Sequence, residues 1–389
     1  MQEKKYLLMN QNKPVILFSV NDNGLFNISD ISKNGILPYY IQKQKELSGK
    51  HIRYWLEKRC IPQLRPRRRL LLEEYHYRDT YELALSNCAL SFNDSFWVKP
   101  EDSSLVWEDI NFFENPYSNV PGLFLLGDES TAVTGISPDI CTNGIQPKLW
   151  VKEGGLDYLL KFGRPPYYQE PINEVLSSEI ALTFPFLNAV KYTEASYYGK
   201  TVSKCINFVP PGIELVNAFY MYDKEEDILG NIYFFLIQKC KRLGFDVEEY
   251  FNEMMLFDYV INNTDRNLGN IAFFRDMDTG EFIGPSPVYD NGNSMWFNEM
   301  PDIMNDKETT CKPFAENFKV QLKLIKNVKV NMPELKFYVQ KMLNSFWGRL
   351  DEDRLEKMEM LINQRLNHIE NRYVYQKTRF YSKKTEMMR

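Results

Sequence analysis

"NNTDRNLGN", residues 262–270, holds an aspartate and an asparagine five positions apart, Asp265 and Asn270. Ahead of it, "DVEEYFNEMMLFDYVINN" (246–263) sets Val247, Tyr250, Phe251, Met254, Met255 and the run 257–261 on a broad apolar band. That pattern predicts a buried helix, ended by Asn262 and Asn263, that delivers the chain into the polar loop. Behind it, "IAFFRDMDTGEFIG" (271–284) reads as a hairpin turning at "DMDTG", and "PSPVYDNGNSMWF" (285–297) then brings Asp290. By itself an Asp-x4-Asn spacing fits a solvated turn equally well, and Asp-Asn-Gly is turn chemistry. The order of the surrounding elements is what gives the loop a meaning.

Upstream, "GIQPKLWVKEGGLDYLLKFG" (144–163) is two apolar runs about a Gly-Gly turn, with Lys161 at the end of the second strand. "EPINEVLSSEIALTF" (170–184) predicts a helix: Pro171 suits an early position, and Ile172, Val175, Leu176 and Ile180 share a face. It carries Glu174 and Glu179. "VSKCINFVPPG" (202–212) reads as a strand closed by Pro-Pro-Gly, and from about residue 214 the pattern turns helical. In "DEDRLEKMEMLINQRLNHIENRY" (351–373), Leu355, Met358, Leu361, Ile362, Leu366 and Ile369 fall on one side, and the polar tail "QKTRFYSKKTEMMR" (376–389) is expected to fray. At the other end, residues 5–28 read as short strands and 43–88 as polar helices, and "LSFNDSFWVKPEDSSLVWEDINFFENPYSN" (90–119) as an ordered but irregular connector.

The chain has 389 residues, 44% apolar and 25% charged, which suits two or three packed units with little disorder. Its six cysteines, at 60, 88, 141, 205, 240 and 311, lack the short spacings of zinc or redox sites and read as reduced structural thiols of a cytoplasmic protein. The three histidines, His51, His76 and His368, are scattered, which argues against histidine-based metal or triad chemistry. The start has no signal-peptide core, and no run of about 18 apolar residues predicts a membrane span. A net charge of −5 argues against a dedicated nucleic-acid binder. Against it stands one basic cluster, Arg65, Arg67, Arg68 and Arg69, for which a solvated basic face is the preferred reading, leaving direct nucleic-acid contact undecided.

Phosphoryl transfer needs a carboxylate to receive or orient a hydroxyl proton, oxygen ligands for Mg2+, and a cation on the phosphates. The order Lys161, Glu174, Asp265-x4-Asn270, hairpin, Asp290 is that of a two-lobed kinase. "LFDYVINNTDRNLGNIAFF" with "PSPVYDNGNS" resembles the HipA-type serine/threonine kinases of bacterial toxin–antitoxin modules and their CtkA-like relatives, which carry a T-D-x4-N loop and a later P-x-Y-D segment. "TNGIQPKLWV" is similar to the family's G-x-Q-x-K phosphate loop, "DYLLKFG" to its lysine strand, "INEVLSSEIA" to its αC-like helix and "SKCINF" to its hinge, so the likeness covers about residues 125–330. With less specificity, "YWLEKRCIP" and "SFNDSFWVKP" resemble the front of firmicute-type relatives.

The resemblance implies an α+β, two-lobed kinase-like fold with a β-rich N-lobe and a mostly helical C-lobe. It implies an accessory region over 1–120, an N-lobe over 121–212 and a C-lobe over 213–389. It makes Asp265 the catalytic base, Asn270 and Asp290 the Mg2+ ligands, and Lys161 the contact to the ATP α/β-phosphates, paired with Glu174. Gly144, Gln146 and Lys148 of the phosphate loop and Asn207 and Phe208 of the hinge would hold the nucleotide. The implied partners are a protein substrate, with translation factors among the options, and a HipB-like helix-turn-helix antitoxin; no membrane is implied. Where the better-known family loop has an autophosphorylated serine, this chain has Cys141, so such modification would fall on Thr142 or Ser137. Two alternatives stay open: a kinase-like binding module, and a phosphatidylinositol or small-molecule kinase, since "TDR" also resembles a D-R-x3-N loop.

Overall fold

The helix ahead of the polar loop runs Glu248–Ile261 in the computed structural model, which describes residues 3–306, 309–326, 328 and 330–374. The tail 376–389 lies outside the described residues. Every residue from Tyr250 to Ile261 is buried. The helix stops where Asn262 turns left-handed, φ 53°, and the Asn263 N–H closes onto the Asp258 carbonyl at 2.8 Å. Asparagine is one of the few side chains that tolerates that conformation.

The chain divides into two units: residues 1–162, 204–216 and 273–283, and residues 163–203, 217–272 and 284–389. Strands dominate the first. β1 (Glu3–Asn10), β2 (Lys13–Asn21), β3 (Phe26–Ile31) and β4 (Phe96–Pro100) form a sheet of order β3-β2-β1-β4, antiparallel throughout. β4 lies inside the stretch read above as an irregular connector. Its period of two explains it: Phe96 and Val98 enter one apolar cluster, with Leu8, Ile16 and Phe18, while Trp97 enters another, with Met9, Phe92 and Trp150. Both faces of that strand are buried, so it lacks the polar alternation that betrays a half-exposed strand.

β5 (Lys148–Glu153) and β6 (Leu156–Phe162) pair antiparallel across Gly154 and Gly155, φ 57° and 81°. A two-residue turn with both φ positive is the one that glycine permits. β7 (Thr193–Tyr197) and the first residues of β8 (Lys200–Ile206) belong to the second unit, and β8 from Lys204 onward to the first. β9 (Ile213–Asn217), β10 (Ala272–Asp276) and β11 (Phe282–Pro285) form a three-stranded sheet of order β11-β10-β9. The helical expectation from residue 214 therefore fails at its first four residues, 214–217. Glu214 and Val216 point inward on alternate positions, and Glu214 is held by the Arg275 guanidinium at 2.7 Å and the Tyr39 N–H at 2.8 Å. Strand pairing and a buried ion pair override the local helix preference of Glu and Leu.

The second unit is mostly helical, with helices Glu170–Ala181, Ile232–Arg242, Glu248–Ile261, Met332–Ser345 and Glu352–Ile369. The last buries Leu355, Met358, Leu361, Ile362, Leu366 and Ile369, the face its spacing predicts. It packs, with Glu170–Ala181, on the central helix Glu248–Ile261. The α+β class thus holds, with a strand-rich and a helix-rich unit. Among the described residues no helix is long and apolar enough to cross a membrane.

Candidate active site

The loop after the central helix is fixed by its own polar side chains. The Asn267 N–H bonds the Asp265 carbonyl at 2.8 Å, Asn267 Oδ1 accepts from the Gly269 N–H at 2.8 Å, and the Asn270 N–H closes on the Asn267 carbonyl at 2.9 Å. Asn217 Nδ2 and the Tyr289 hydroxyl both donate to the Gly269 carbonyl, at 2.6 and 2.9 Å. Asn270 Nδ2 donates to the Asp265 carbonyl at 2.9 Å, which commits the amide nitrogen inward and leaves Oδ1 as a possible oxygen ligand.

Arg266 holds this loop from beneath. It is fully buried. Its Nε and Nη2 grip the Asp258 carboxylate of the central helix at 3.1 and 2.9 Å, a two-point pairing that suits a planar guanidinium. Its Nη1 donates to the Tyr289 carbonyl at 2.6 Å and the Asn270 carbonyl at 3.4 Å, and Nη2 also reaches Asn291 Oδ1. One side chain therefore ties the loop bearing Asp265 and Asn270 to the segment bearing Asp290. Asp290 itself stands in left-handed backbone, φ 61°.

The helix Glu170–Ala181 holds that segment from another side, and its buried face departs from expectation. Ile172 and Val175 are only half-buried, while Glu170, Asn173 and Glu174 are fully buried. These three fall at i, i+3 and i+4, one helix face. Asn173 Nδ2 bonds the Gly292 and Ser294 carbonyls at 2.9 and 2.8 Å, and Glu174 accepts from the Asn291 N–H at 2.9 Å. Glu170 binds Arg164 Nε at 2.9 Å, and Arg164 Nη2 donates to Asn293 Oδ1 at 2.8 Å. An arginine can only donate, so that contact orients the Asn293 amide and turns its Nδ2 to Asp265 Oδ2, 2.9 Å away. Asp265 Oδ1 meets Lys312 Nζ at 2.9 Å and Asn267 Nδ2 at 3.3 Å. By contrast Glu179 is a partly exposed partner of Lys341 at 2.7 Å.

The remaining candidate residues lie in the first unit. Lys161 is buried near the end of β6, opposite Lys148 of β5. Lys148 Nζ donates to the Asn143 carbonyl at 2.7 Å and Gln146 Nε2 to the Phe162 carbonyl at 2.9 Å. Gly144 has φ 94°, a left-handed conformation that suits glycine, and a Cβ there would stand 2.7 Å from Lys148 Nζ. The Asn207 N–H bonds the Asp157 carbonyl at 2.8 Å, and its side chain accepts from the Val209 N–H at 3.2 Å. Phe208 is half-buried.

The basic cluster is not the solvated face its sequence suggests. Arg65 is buried and donates to the Thr142 carbonyl at 3.2 Å and to the Gln146 carbonyl, clasping both ends of the loop 142–146. Arg67 donates to the Phe124 carbonyl at 2.8 Å, Arg68 bonds Thr80, and Arg69 alone of the four is an exposed side chain. Four charges within five residues read as surface in a sequence, yet a guanidinium satisfied by carbonyls can be buried. Asp139, next to this loop, accepts from the Trp150 N–H at 2.9 Å, and burial pushes its carboxyl up to about 7. The Ser137 hydroxyl is fully buried and spans 3.3 Å to Asp139 Oδ2, and Thr142 Oγ1 donates to the Pro138 carbonyl at 2.6 Å and accepts from Trp150 Nε1 at 2.9 Å.

The donor chemistry suits Mg2+. Asn270 Oδ1 and the Asp290 carboxylate are hard oxygen donors, and Mg2+ is ordinarily held by one or two carboxylates with phosphate oxygens and water completing its shell. Among the described residues no group of three His, Cys, Asp or Glu side chains forms a self-sufficient metal site. The residues the sequence did not single out are Asn293, Arg164, Lys312 and Asp258, and Arg65 stood out only as part of a basic cluster read as solvated. Only Arg266, adjacent to Asp265, could have been found from the motif.

In sequence, neither a family model nor a curated protein matches the chain. Solved structures match the chain, two of them as follows. A chain of the complex of toxin–antitoxin system HipA, HipB and operator DNA from Shewanella oneidensis MR-1 matches with TM-score 0.56 and 14% identity, covering 95% of this chain and 97% of that one. The proinflammatory kinase CtkA of Helicobacter pylori matches 56% of this chain and 89% of its own at 15% identity, with TM-score 0.41. The chain therefore has a HipA-like fold over almost its whole length.

Proposed function

We propose that this protein is an ATP- and Mg2+-dependent serine/threonine protein kinase of the HipA type, acting in the cytoplasm as the toxin of a toxin–antitoxin module or as a bacterial signalling kinase. The observation that carries the reading is the arrangement around Arg266: one buried guanidinium binds the loop with Asp265 and Asn270 and the segment with Asp290. A fold alone hosts many activities, so the reading rests on these residues. Bound Mg-ATP would supply the electrophilic phosphoryl group and the charge neutralisation that its transfer needs. Asp265 receives the acceptor hydroxyl proton, with its carboxylate oriented by Asn293. Asn270 and Asp290 hold the metal, while Lys161, Lys148, Gln146 and Gly144 bind phosphates and Asn207 and Phe208 the adenine. We assign residues 121–212 to the N-lobe, 213–389 to the C-lobe and 1–120 to an accessory region. The partners proposed are a protein substrate and a HipB-like antitoxin, the latter by analogy with the complex in which the similar fold was solved. Autophosphorylation at Thr142 would require its two hydrogen bonds to break first.

The test is a thermal-shift titration with Mg-ATP followed by transfer of labelled phosphate by wild type and Asp265→Ala. Stabilisation of both proteins and labelling by wild type alone is expected. Equal labelling would remove Asp265 from the reaction, and no nucleotide stabilisation would favour a kinase-like binding module.

A further inference from the structure

The geometry points to Lys312 as a second catalytic residue, whose ammonium group stands beside Asp265 to neutralise the charge on the phosphoryl group as it transfers. This rests on the kinase reading above and assigns a role to a residue outside the motif-bearing segments.

Lys312 Nζ lies 2.9 Å from Asp265 Oδ1, and the pair is solvent-accessible, the side chains 55% and 34% exposed. An exposed ion pair of this kind contributes little to stability, and ordering a lysine costs rotamer entropy of comparable size, so folding gives no reason for the contact. The backbone that presents it is nevertheless anchored on both sides. The Cys311 N–H bonds the Glu316 carbonyl at 3.2 Å and Cys311 is buried. The Phe314 ring packs on Tyr233 and Phe251 with centroids 5.4 and 5.1 Å apart, and its N–H reaches Gln321 Oε1 at 3.3 Å. An exposed cation on an anchored turn is thus held against the carboxylate that the reaction uses. Arg266, the cation within the loop, is turned away and committed to Asp258, Asn291 and the Tyr289 carbonyl.

The chemistry calls for such a charge. A phosphate chain and the Asp265 carboxylate are both anions and repel each other at the distance an in-line transfer requires. During transfer the acceptor hydroxyl gives its proton to Asp265 and its oxygen bonds to phosphorus. The bond from phosphorus to the bridging oxygen breaks, and its electron pair stays on the nucleoside diphosphate. Lys312 keeps its protons throughout; it bridges carboxylate and phosphoryl oxygens and offsets their repulsion where charge gathers.

Lys312→Ala, Lys312→Arg and wild type separate this from a surface contact. Two readouts apply: kcat and KM for phosphate transfer from ATP to casein, and calorimetric affinity for Mg-ADP with and without aluminium fluoride, a mimic of the transferring group. Lys312→Ala should lower kcat about 100-fold, leave Mg-ADP affinity unchanged and abolish the extra affinity that aluminium fluoride confers, while Lys312→Arg retains most of both. Wild-type rates in Lys312→Ala, or faster ones, overturn the assignment, the latter making the lysine a plug. If wild type binds no Mg-nucleotide, the kinase reading itself has failed and the assignment falls with it. Normal wild-type transfer alongside a normal Lys312→Ala variant removes Lys312 alone.

Discussion

Replacing Arg266 by leucine tests whether one buried ion pair holds the candidate site together. The guanidinium is fully buried, with two bonds to Asp258 at 2.9 and 3.1 Å, and it also serves the carbonyls of Asn270 and Tyr289 and Asn291 Oδ1. Leucine removes all of these donors and strands a carboxylate in the core. Breaking a buried pair from one side costs about 3–5 kcal/mol, against a total stability of about 5–15 kcal/mol for a native protein. Arg266→Leu should therefore be severely destabilised. Asp258→Leu together with Arg266→Leu removes the stranded charge, and replacing both partners of such a pair with apolar groups is often neutral. The double variant should thus recover about 2 kcal/mol or more relative to Arg266→Leu. The assay is a double-mutant cycle from urea denaturation midpoints at unchanged slope. Simple additivity of the two single losses, or a loss below about 1 kcal/mol for Arg266→Leu, would refute the reasoning. Phosphate transfer should stay impaired in the double variant even where stability returns, because the loop carbonyls still lack their donor.

Asn293→Ala removes the donor that orients Asp265 Oδ2, a bond to a charged group worth about 1.5–3 kcal/mol, so transfer should slow by about 10- to 100-fold at unchanged KM for ATP; steady-state kinetics with an unaltered kcat would contradict this. Burial pushes Asp139 up to about 7, outweighing the nearby positive charges of Arg65 and Lys148. Between the unfolded value near 4 and this one the folded chain holds a proton that the unfolded chain releases, so stability falls as pH rises through that window and levels off above it. Glu214 and Glu253, each also raised by burial to about 7, act in the same sense. Asp139→Asn should flatten the decline by up to about 1.4 kcal/mol per pH unit, visible in melting temperatures between about pH 5 and 7; parallel curves for the two proteins would contradict the assignment.

Legibility followed sequence separation. The central helix, its end at Asn262, the Gly154-Gly155 hairpin and the apolar face of Glu352–Ile369 were readable because each depends on neighbours within a few residues. β4 was missed because both its faces are buried in separate apolar clusters. β9 was missed because its partner β10 lies more than fifty residues further along the chain. On the helix Glu170–Ala181 the apolar periodicity named the wrong face in part. Glu170, Asn173 and Glu174 are buried because the segment 291–294 supplies their hydrogen bonds and Arg164 an ion pair.

The sequence by itself determined the candidate loop: the positions of Asp265 and Asn270, the turn chemistry between them, the buried helix before and the hairpin after. Those features are local, and local backbone preference and periodicity express them directly. Only the tertiary structure decided what surrounds them. Arg65 is a buried clasp on the loop 142–146, Arg266 pairs with Asp258, Asn293 is oriented through Arg164, and Lys312 is brought against Asp265 from 47 residues away. A charged or amide side chain carries no sequence mark of its partner. Whether it is solvated or buried depends on which distant acceptors the packed chain places within hydrogen-bond reach, and burial without them is too costly to persist.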